Sequence, residues 1–279
     1  MKQESETIPI SVLCRVMEVS TSGYYEWLNP RPSHRFEENQ ILKAEIGRVY
    51  ELSRGAYGRR RIAAAIANAS TAKASVNRIE RKMKEMGLAG YVAPSFKRTT
   101  IPDPMMEDSP NLIKDCQAKG IDEIWVSDIT YIRTAEGWLY LCTIMDLYSR
   151  NIVGWSTRSD MKVELIMEAF NMAHKNRNPK NKTIFHSDKG GQYKSRRFRR
   201  KLARLGYAQS MTGANHCFDN AAAESFFGTL KTELIRGSSF PSRESAESAI
   251  FEYIEVFYNR VRLHSSLGYL SPVEFEKIA

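Results

Sequence analysis

The spacing of hydrophobic residues changes near residue 121, and this change constrains the fold more than any other feature of the chain. Before it, apolar residues recur at three- and four-residue intervals, as in amphipathic helices. After it, three nearly continuous apolar segments are joined by short turns, and we predict three strands in EIWVSDITYIR, WLYLCTIMD and IVGWST. Helical segments then alternate with TIFHSD and YAQSM, predicted as a fourth and fifth strand. This order predicts an α/β fold, a mixed sheet with flanking helices, preceded by an all-α region.

Two helical hairpins are predicted in the all-α region. The first lies in the segment IPISVLCRVMEVSTSGYYEWL, with Ser11 as the N-cap of its first helix and a break near Ser20. Val12 and Val16 are at helical spacing and share one face of that helix. The second hairpin joins the alanine-rich helix GRRRIAAAIANAS to a helix in ASVNRIERKMKEMGL that ends at Gly87.

The last helix of the second hairpin has an apolar face and a basic face. The apolar face holds Val76, Ile79 and Met83. The opposite face carries Asn77, Arg78, Arg81 and Lys82. In a DNA-binding helix-turn-helix, a second helix with such side chains enters the major groove. An ordinary hairpin with a solvated basic face fits the pattern equally well, and the pattern alone leaves both interpretations open.

The charge distribution favours a polyanionic partner. Lys and Arg outnumber Asp and Glu by 41 to 32 over 279 residues, which gives a formal net charge of +9. Residues 1–100 hold 17 of the basic residues but only 10 of the acidic ones. The basic excess is therefore concentrated in the helical N-terminal region, where DNA binding is predicted.

Cysteine usage and hydropathy exclude other classes of protein. The four cysteines lack a CxxC pair and have no histidines at zinc-site spacing, so we expect reduced packing residues at Cys14, Cys116, Cys142 and Cys217. No segment approaches the roughly 20 apolar residues of a membrane span. The N-terminus also lacks a signal peptide, which predicts a cytoplasmic protein.

Three carboxylates fall where an open α/β sheet gathers its reactive groups. Asp128 lies inside the first predicted strand, Asp188 at the end of the fourth, and Glu224 near the start of the helix in DNAAAESFFGTLK. If the first strand lies beside the fourth, Asp128 and Asp188 face each other and Glu224 reaches in from the helix. Three oxygen ligands without a histidine or thiolate suit Mg²⁺ or Mn²⁺. Any one of these carboxylates alone would favour a helix cap or an ion pair.

Such a site would perform in-line phosphoryl transfer with two metal ions. One ion would activate the attacking hydroxyl, and the other would stabilise the leaving 3′ oxygen. The basic segment after Asp188 is then the predicted grip on the DNA backbone, through Lys194, Arg196 and Arg200, although a basic helix face is usually only solvated. His186 and Gln192 are further candidate DNA contacts, with a structural hydrogen bond as the alternative for His186. For Trp125 and Tyr131, packing in the core or sheet is favoured over the alternative, a platform on which bases stack.

Three segments carry a family resemblance. IWVSDITYI, HSDKGGQY and DNAAAESFFGTLK resemble the motif blocks of the transposases of bacterial two-frame insertion sequences, the family named for insertion sequence three, whose cores look like retroviral integrases. The 35 residues between Asp188 and Glu224 match the DD(35)E spacing of that family. Lys231 stands where the family has a basic residue that contacts DNA, and YNRVRLHSSLGYLSP resembles its C-terminal signature. Ser127 and Lys189 depart from the commoner residues of the motifs without removing a ligand.

The resemblance implies a fold, an activity and partners. It implies an RNase H-like core with Asp128, Asp188 and Glu224 as ligands of Mg²⁺ or Mn²⁺, two ions in all. The implied activity is cleavage of double-stranded DNA at terminal inverted repeats and strand transfer into target DNA. The implied partners are a second copy of the chain on DNA and the product of an upstream frame, and the implied location is the bacterial cytoplasm, on the nucleoid when bound to DNA.

The predicted domain order follows from these segments. We expect a helix-turn-helix DNA-binding region over residues 1–92, a proline-rich linker over 93–120, an RNase H-like catalytic core over 121–240 and a C-terminal helical extension over 241–279. A regulator that binds the element ends without catalysis, and an RNase H-like nuclease without strand transfer, are the alternatives to a transposase.

Overall fold

The computed structural model describes residues 8–29, 32–69, 74–91, 109–114, 116–180, 182–213 and 221–279. Two compact units make up the chain, residues 1–49 and residues 50–279. Most of the predicted linker and the residues just before Glu224 lie outside the described ranges.

The smaller unit is helical. It contains α1 (Ile10–Val16), α2 (Thr21–Leu28) and most of α3 (His34–Leu52). Ser20 caps α2 by accepting a hydrogen bond from the backbone N–H of Gly23 at 3.0 Å, so the break in the first predicted hairpin is where the sequence places it. The N-cap of α1 is Pro9 and not Ser11, and Val12 and Val16 are exposed, so the predicted cap and buried face of α1 are wrong.

The second predicted hairpin is formed by α4 (Arg59–Ala69) and α5 (Val76–Glu85). Ser75 caps α5 through its hydroxyl, which accepts a hydrogen bond from the Arg78 N–H. The hairpin packs through buried Ile62 and Ile66 of α4 and Ile79 and Met83 of α5. A 19-residue helix, α3, is missing from the predicted elements, because few of its residues are buried and its apolar stripe is weak.

The hairpin is attached to the C-terminal segment. The Tyr57 hydroxyl donates to the Val261 carbonyl at 3.1 Å and accepts from the Leu263 N–H at 2.7 Å. Arg61 donates to the carbonyl of Leu263 at 3.1 Å. The region predicted as an N-terminal domain is therefore divided, with its second hairpin in the larger unit.

The larger unit contains the predicted mixed sheet. Its five strands are β1 (Ile124–Thr134), β2 (Gly137–Asp146), β3 (Ile152–Arg158), β4 (Ile184–Ser187) and β5 (Ala208–Met211). Their order across the sheet is β3-β2-β1-β4-β5. β1, β2 and β3 pair antiparallel as hairpins, whereas β4 pairs parallel to β1 and β5 parallel to β4. The first strand lies beside the fourth, so the condition stated for the proximity of Asp128 and Asp188 is met.

Helices cover the sheet. They are α6 (Val163–Arg177), α7 (Gly191–Lys194), α8 (Arg196–Arg204), α9 (Ala221–Leu230), α10 (Arg243–Phe251) and α11 (Pro272–Glu276). α9 and α10 each continue as a π-helix, over Lys231–Ile235 and Glu252–Tyr258. Side chains of the sheet, α6 and α8 form one core that includes Trp125, Phe170, Phe185 and Phe198. Trp125 is fully buried, as predicted.

The end of the predicted linker lies along the sheet. The Leu112 N–H donates to the Ser210 hydroxyl at 2.8 Å, and the Met211 N–H donates to the Pro110 carbonyl at 3.3 Å. Ile113 is buried. These residues therefore cover the free edge of β5.

Candidate active site

Asp128 and Asp188 lie side by side because of the parallel pairing of β1 and β4. Ser127 of β1 is in register with Ser187, the last residue of β4. Asp128 is therefore the next residue within β1, and Asp188 is the first residue after the end of β4. In a parallel pair the strand ends meet at one edge of the sheet, which is where α/β folds gather reactive groups. This neighbourhood was predicted on one condition, that β1 lies beside β4.

Asp128 is held in an environment that opposes its negative charge. Burial first, together with the charges of Asp188 and Glu224, raises the pKa of the Asp128 carboxyl to about 7. A hydrogen bond from the Ile129 N–H, at 2.8 Å, and the charge of Lys231 act in the opposite direction. Carboxylates that cannot all ionise together are typical of sites that bind cations or move protons.

Asp188 is fixed by the glycine turn that follows it. Its Oδ1 accepts a hydrogen bond from the Gly190 N–H at 2.9 Å. A β-carbon on Gly190 would lie 3.0 Å from the same oxygen, so a side chain there would press on the carboxylate. Burial raises the pKa of Asp188, and the Lys194 ammonium lowers it. The turn therefore sets the position of the carboxylate.

A buried polar cluster lies next to the two aspartates. The Ser127 and Tyr193 hydroxyls are 2.9 Å apart, and the Cys142 sulfur lies 3.6 Å from the Ser127 hydroxyl. Burial raises the pKa of Tyr193 well above its usual value, so its hydroxyl stays protonated. Because polar groups buried together hold each other's orientation, this cluster fixes the backbone on which Asp128 is carried.

Glu224 and Lys231 reach the same site from α9 and its continuation. Glu224 lies in the first turn of α9 and is exposed, and Lys231 begins the π-helix that follows. Both charges act on the Asp128 carboxyl. The Lys231 ammonium also lies 5.8 Å from the centre of the Tyr131 ring. The three carboxylates and Lys231 are thus brought to one region.

An open cavity of about 660 Å³ contains both aspartates. Its wall includes Tyr131 and Trp138, which are 50% and 45% exposed and stack edge-to-face with ring centres 5.0 Å apart. Tyr131 packs on the sheet against Trp138, as predicted, and its half-exposed ring also lines this open cavity. Trp138 was not predicted as a site residue. In the β1–β2 hairpin Trp138 is opposite Arg133, which places it diagonal to Tyr131 on the same face of the sheet, and this register is the signal that could have indicated it.

The predicted backbone contacts after Asp188 separate into two groups. Arg196 and Arg200 are exposed on α8, as a DNA-contacting surface requires. Lys194 is only 4% exposed, so it does not lie on that surface, and its charge lowers the pKa of Asp188. Gln192 lines the cavity and donates a hydrogen bond to the Met161 carbonyl at 2.9 Å.

His186 is a structural residue. It is fully buried in β4, and its Nδ1 lies 2.8 Å from the Ser210 hydroxyl while its Nε2 lies 3.3 Å from the Thr212 hydroxyl. Both ring nitrogens are occupied within the sheet. The predicted DNA contact by His186 is therefore wrong, and the alternative of structural hydrogen bonding is correct.

The basic face of α5 differs from the prediction at one position. Asn77 and Arg81 are exposed and Arg78 is half-buried, which leaves them accessible. Lys82 is only 8% exposed, and its ammonium lies 2.9 Å from Glu85. The prediction of an exposed Lys82 is wrong, because the ion pair holds its long stem against the helix.

Three family models match most of the larger unit. Integrase core domain models match residues 119–217 and residues 224–278, and an HTH-like domain model matches residues 37–95. The first model includes Asp128 and Asp188, and the second begins at Glu224. The carboxylates thus lie within the two integrase core matches.

Curated relatives match nearly the whole chain. It is 38% identical over 266 residues to the insertion element IS600 uncharacterized 31 kDa protein of Shigella sonnei, covering 95% of this chain and 97% of the relative. It is 37% identical over 270 residues to transposase InsF for insertion sequence IS3A of Escherichia coli K12, covering 96% and 93%. The chain belongs to the IS3 transposase family.

Solved structures resemble this IS3-family transposase more distantly. A simian T-cell lymphotropic virus intasome, in complex with PP2A regulatory subunit B56 gamma, has a TM-score of 0.48 at 13% identity, covering 77% of this chain and 70% of that one. The HTLV-2 integrase catalytic core domain in complex with magnesium has a TM-score of 0.44 at 14% identity, covering 57% and 99%. The five-stranded sheet of the transposase itself is the mixed sheet with flanking helices of RNase H-like integrase cores.

The donor set of this IS3-family transposase fits a divalent cation. Asp128 and Asp188 are hard oxygen donors whose mutual repulsion a cation would offset. Within the ranges that the structure describes, no three His, Cys, Asp or Glu side chains lie close enough together to hold an ion. Glu224 is the exposed member of the set.

Across those same ranges, no helix has both the length and the apolar character needed to cross a membrane.

Proposed function

We propose that this transposase uses Asp128, Asp188 and Glu224 to cleave DNA at the ends of an insertion sequence and to join the 3′ ends to target DNA. The observation that supports this most strongly is the side-by-side placement of Asp128 and Asp188 at the shared edge of β1 and β4. The Asp128 pKa near 7 adds to it, because the site carries more negative charge than it tolerates alone. The three carboxylates would hold Mg²⁺ or Mn²⁺, in two positions.

Bound divalent ions would supply the activation of a hydroxyl nucleophile and the neutralisation of charge on the transferred phosphate. The chain's own residues position the reactants. Gly190 donates its N–H to Asp188 and leaves room beside the carboxylate for a phosphate oxygen. Lys231 places a positive charge near Asp128, where it can attract the phosphate.

The aromatic wall of the cavity suits unpaired bases. The exposed rings of Tyr131 and Trp138 lie on the wall of the cavity that contains Asp128 and Asp188. Stacking on aromatic rings accepts any base and stabilises single-stranded segments by about 1–3 kcal/mol per base. We infer that terminal nucleotides beside the cut stack on this wall, which would hold the DNA end in place during the reaction.

The partner is DNA, which both the HTH-like region and the integrase core region would contact. The HTH-like match includes α5, where Asn77, Arg78 and Arg81 remain accessible for groove contacts. We propose that two or more copies of the chain assemble on the terminal inverted repeats, with the product of an upstream frame as a further partner. Such a reaction takes place on the bacterial nucleoid, where we expect the protein to act.

Incubation of the full chain with a labelled inverted-repeat end, target DNA and Mg²⁺ tests the proposal. Joined products support strand transfer, cleavage without joining supports a nuclease, and a bound but uncut end supports a regulator. Asp188→Asn should abolish both cleavage and joining while DNA binding persists. As a readout independent of activity, Mg²⁺ should raise the Tm of the wild type and not that of Asp188→Asn. Activity that survives this substitution would remove Asp188 from the site.

A further inference from the structure

A second cavity, of about 320 Å³, lies on another face of the helix that carries Glu224. Ala221, Ser225 and Thr229 of α9 form one wall, at helical spacing. The other walls come from α4, from the turn before β3 and from the C-terminal segment. None of the described residues that line it is acidic.

Three arginines surround this cavity: Arg61, Arg150 and Arg262. Arg262 is paired with the carboxylate of Glu233 at 2.8 Å, so its charge is balanced. Among the described residues, Arg61 and Arg150 have no carboxylate partner. Arg61 contacts the Leu263 carbonyl and the Tyr57 ring instead. Burial and the nearby charge of Arg262 lower the pKa of Arg61. Among the described residues that line the cavity, no carboxylate therefore balances the charges of Arg61 and Arg150.

His264 lines the same cavity and has one buried ring nitrogen without a hydrogen-bond partner among the described residues. The side chain is only 8% exposed, and the nitrogen without a partner is Nε2. Buried polar atoms are nearly always paired, so an orphan of this kind indicates a missing ligand or water. The ring also hydrogen-bonds to the backbone of Tyr258.

The charge state of His264 defines what can bind beside it. Burial and the three arginines lower its pKa to about 2, so the ring is neutral. A neutral ring that donates one N–H to a backbone carbonyl presents its other nitrogen as an acceptor. A water can donate one hydrogen to Nε2 and the other to an anionic oxygen, which links the ring to an anion.

We propose that this cavity binds a phosphate group of the DNA backbone. Arg61 and Arg150 would pair with its oxygens, and a water would connect one oxygen to Nε2 of His264. The first residues of α9 line the cavity, so the N-terminal end of this ten-residue helix adds a favourable dipole. Ser265 and Ser266 supply hydroxyl donors at the rim.

The shared helix favours DNA over a free phosphate ion. α9 carries both Glu224, whose charge acts on Asp128, and the Ala221–Ser225–Thr229 stripe that lines the cavity. Ser225 directly follows Glu224, so the two side chains lie about 100° apart around the helix. A strand whose reacting phosphate lies at the carboxylates would place another phosphate within reach of the arginines. The assignment to DNA rests on the proposed function, whereas the anion site itself does not.

Arg150→Gln is the decisive variant. It removes one cavity charge from a side chain that has no hydrogen-bond or ion-pair partner among the described residues. We expect weaker binding of an end-containing duplex in fluorescence anisotropy, and a slope of log K against log [salt] that is smaller in magnitude by about 1. Arg260→Gln is the matched control, because Arg260 is an exposed arginine of the same segment outside the cavity. It should leave the slope of the wild type unchanged.

A second pair of variants keeps the test independent of folding. Ser266→Asp adds a negative charge at the exposed rim and should weaken DNA binding as Arg150→Gln does, whereas Ser266→Asn should not. Equal slopes for Arg150→Gln, Arg260→Gln and the wild type would overturn the proposal. The proposal would also be overturned if the slope of Arg150→Gln equalled that of the wild type while inorganic phosphate, at constant ionic strength, stabilised the wild type. The cavity would then be a site for the free ion.

The same experiments separate this proposal from the function proposed above. If wild type cuts and joins DNA but the cavity variants bind normally, the cavity proposal fails and the transposase reaction stands. If Asp188→Asn retains activity while the salt slope of Arg150→Gln falls by about 1, the proposal for the carboxylate site fails and the proposal for the cavity stands.

Discussion

Arg262 and Glu233 form a buried ion pair that joins the C-terminal segment to the helix carrying Glu224 and Lys231. The guanidinium donates to both carboxylate oxygens, at 2.8 and 2.9 Å, and the Tyr253 hydroxyl donates to the same carboxylate at 2.8 Å. Both side chains are less than 10% exposed. This pair fixes the π-helix after α9 and therefore the position of Lys231.

Glu233→Gln should destabilise the protein by about 3–5 kcal/mol, because it leaves the Arg262 charge buried without its partner. The free energy of unfolding in urea measures the loss. Glu252→Gln is the control, since it breaks the exposed pair with Arg54 and should cost less than about 1 kcal/mol. Equal losses for the two variants would contradict a structural role for the buried pair.

Gly190→Ala should reduce the rate of cleavage and joining more than it reduces stability. The new methyl group would lie 3.0 Å from Asp188 Oδ1 and would push the carboxylate out of position. Gly191→Ala is the neighbouring control, because no atom lies within 4 Å of a β-carbon there. Single-turnover rates on a labelled DNA end measure the effect, and similar rates for the two variants would show that the turn does not position Asp188.

The stability of the metal-free protein should fall as pH rises from about 4, the pKa of an aspartate in the unfolded chain, toward 7. Folding raises the Asp128 pKa to about 7, so over this window the folded protein keeps a proton that the unfolded chain releases. Asp128→Asn removes this contribution and should flatten the decline. Urea midpoints at a series of pH values, with EDTA present, provide the measurement. A parallel decline in both proteins would mean that Asp128 titrates normally.

Gly154→Ala should be among the most damaging small substitutions in the chain. Gly154 in β3 lies against α6, where a β-carbon would be 2.4 Å from the Ala169 carbonyl oxygen and 2.6 Å from the Ala173 nitrogen. Overpacking of this kind costs about 1–3 kcal/mol or more, because backbone must move. Gly228→Ala, inside α9 with open space around it, should instead stabilise the protein slightly, by about 0.5–1 kcal/mol. Thermal unfolding of both variants separates the two outcomes.

Arg200→Gln should lower the salt dependence of DNA binding by about one unit of slope. Arg200 is exposed on α8, which follows the Asp188 turn. Lys175→Gln on α6 is the control for loss of an exposed positive charge elsewhere. Lys194→Gln should behave differently, since the buried ammonium acts on Asp188, and it should affect the reaction rate more than the slope.

The sheet could be predicted from the sequence because its strands have a strong local signal. Apolar continuity identified β1 to β5, whereas the pairing of β1 with β4, which brings Asp128 within β1 close to Asp188 after β4, could be stated only as a condition. Helix α3 has a weak apolar stripe, so its burial depends on contacts that periodicity does not reveal. Periodicity also left undetermined which unit the hairpin of α4 and α5 joins.

Side-chain direction was the main source of error within the site. Lys82, His186 and Lys194 all lie in segments that were predicted correctly, yet each is buried against a partner close in space. A short shift along a helix or strand changes which side a residue faces, and sequence spacing alone cannot resolve it. Tyr131 and Trp138 were missed as a pair because their contact is made across a hairpin register.

Both outer strands of the sheet have neighbours along their free edges. Residues 109–112 lie along β5, and at β3 the Asn259 amide accepts from the Ile152 N–H at 2.9 Å and donates to its carbonyl at 3.0 Å. An edge whose backbone groups are already bonded is a poor template for a strand from another chain. Copies of the protein gathered on two DNA ends would therefore meet through helices, loops or the DNA itself. The bonds at Ile152 and Met211 thus disfavour a continuous sheet between copies.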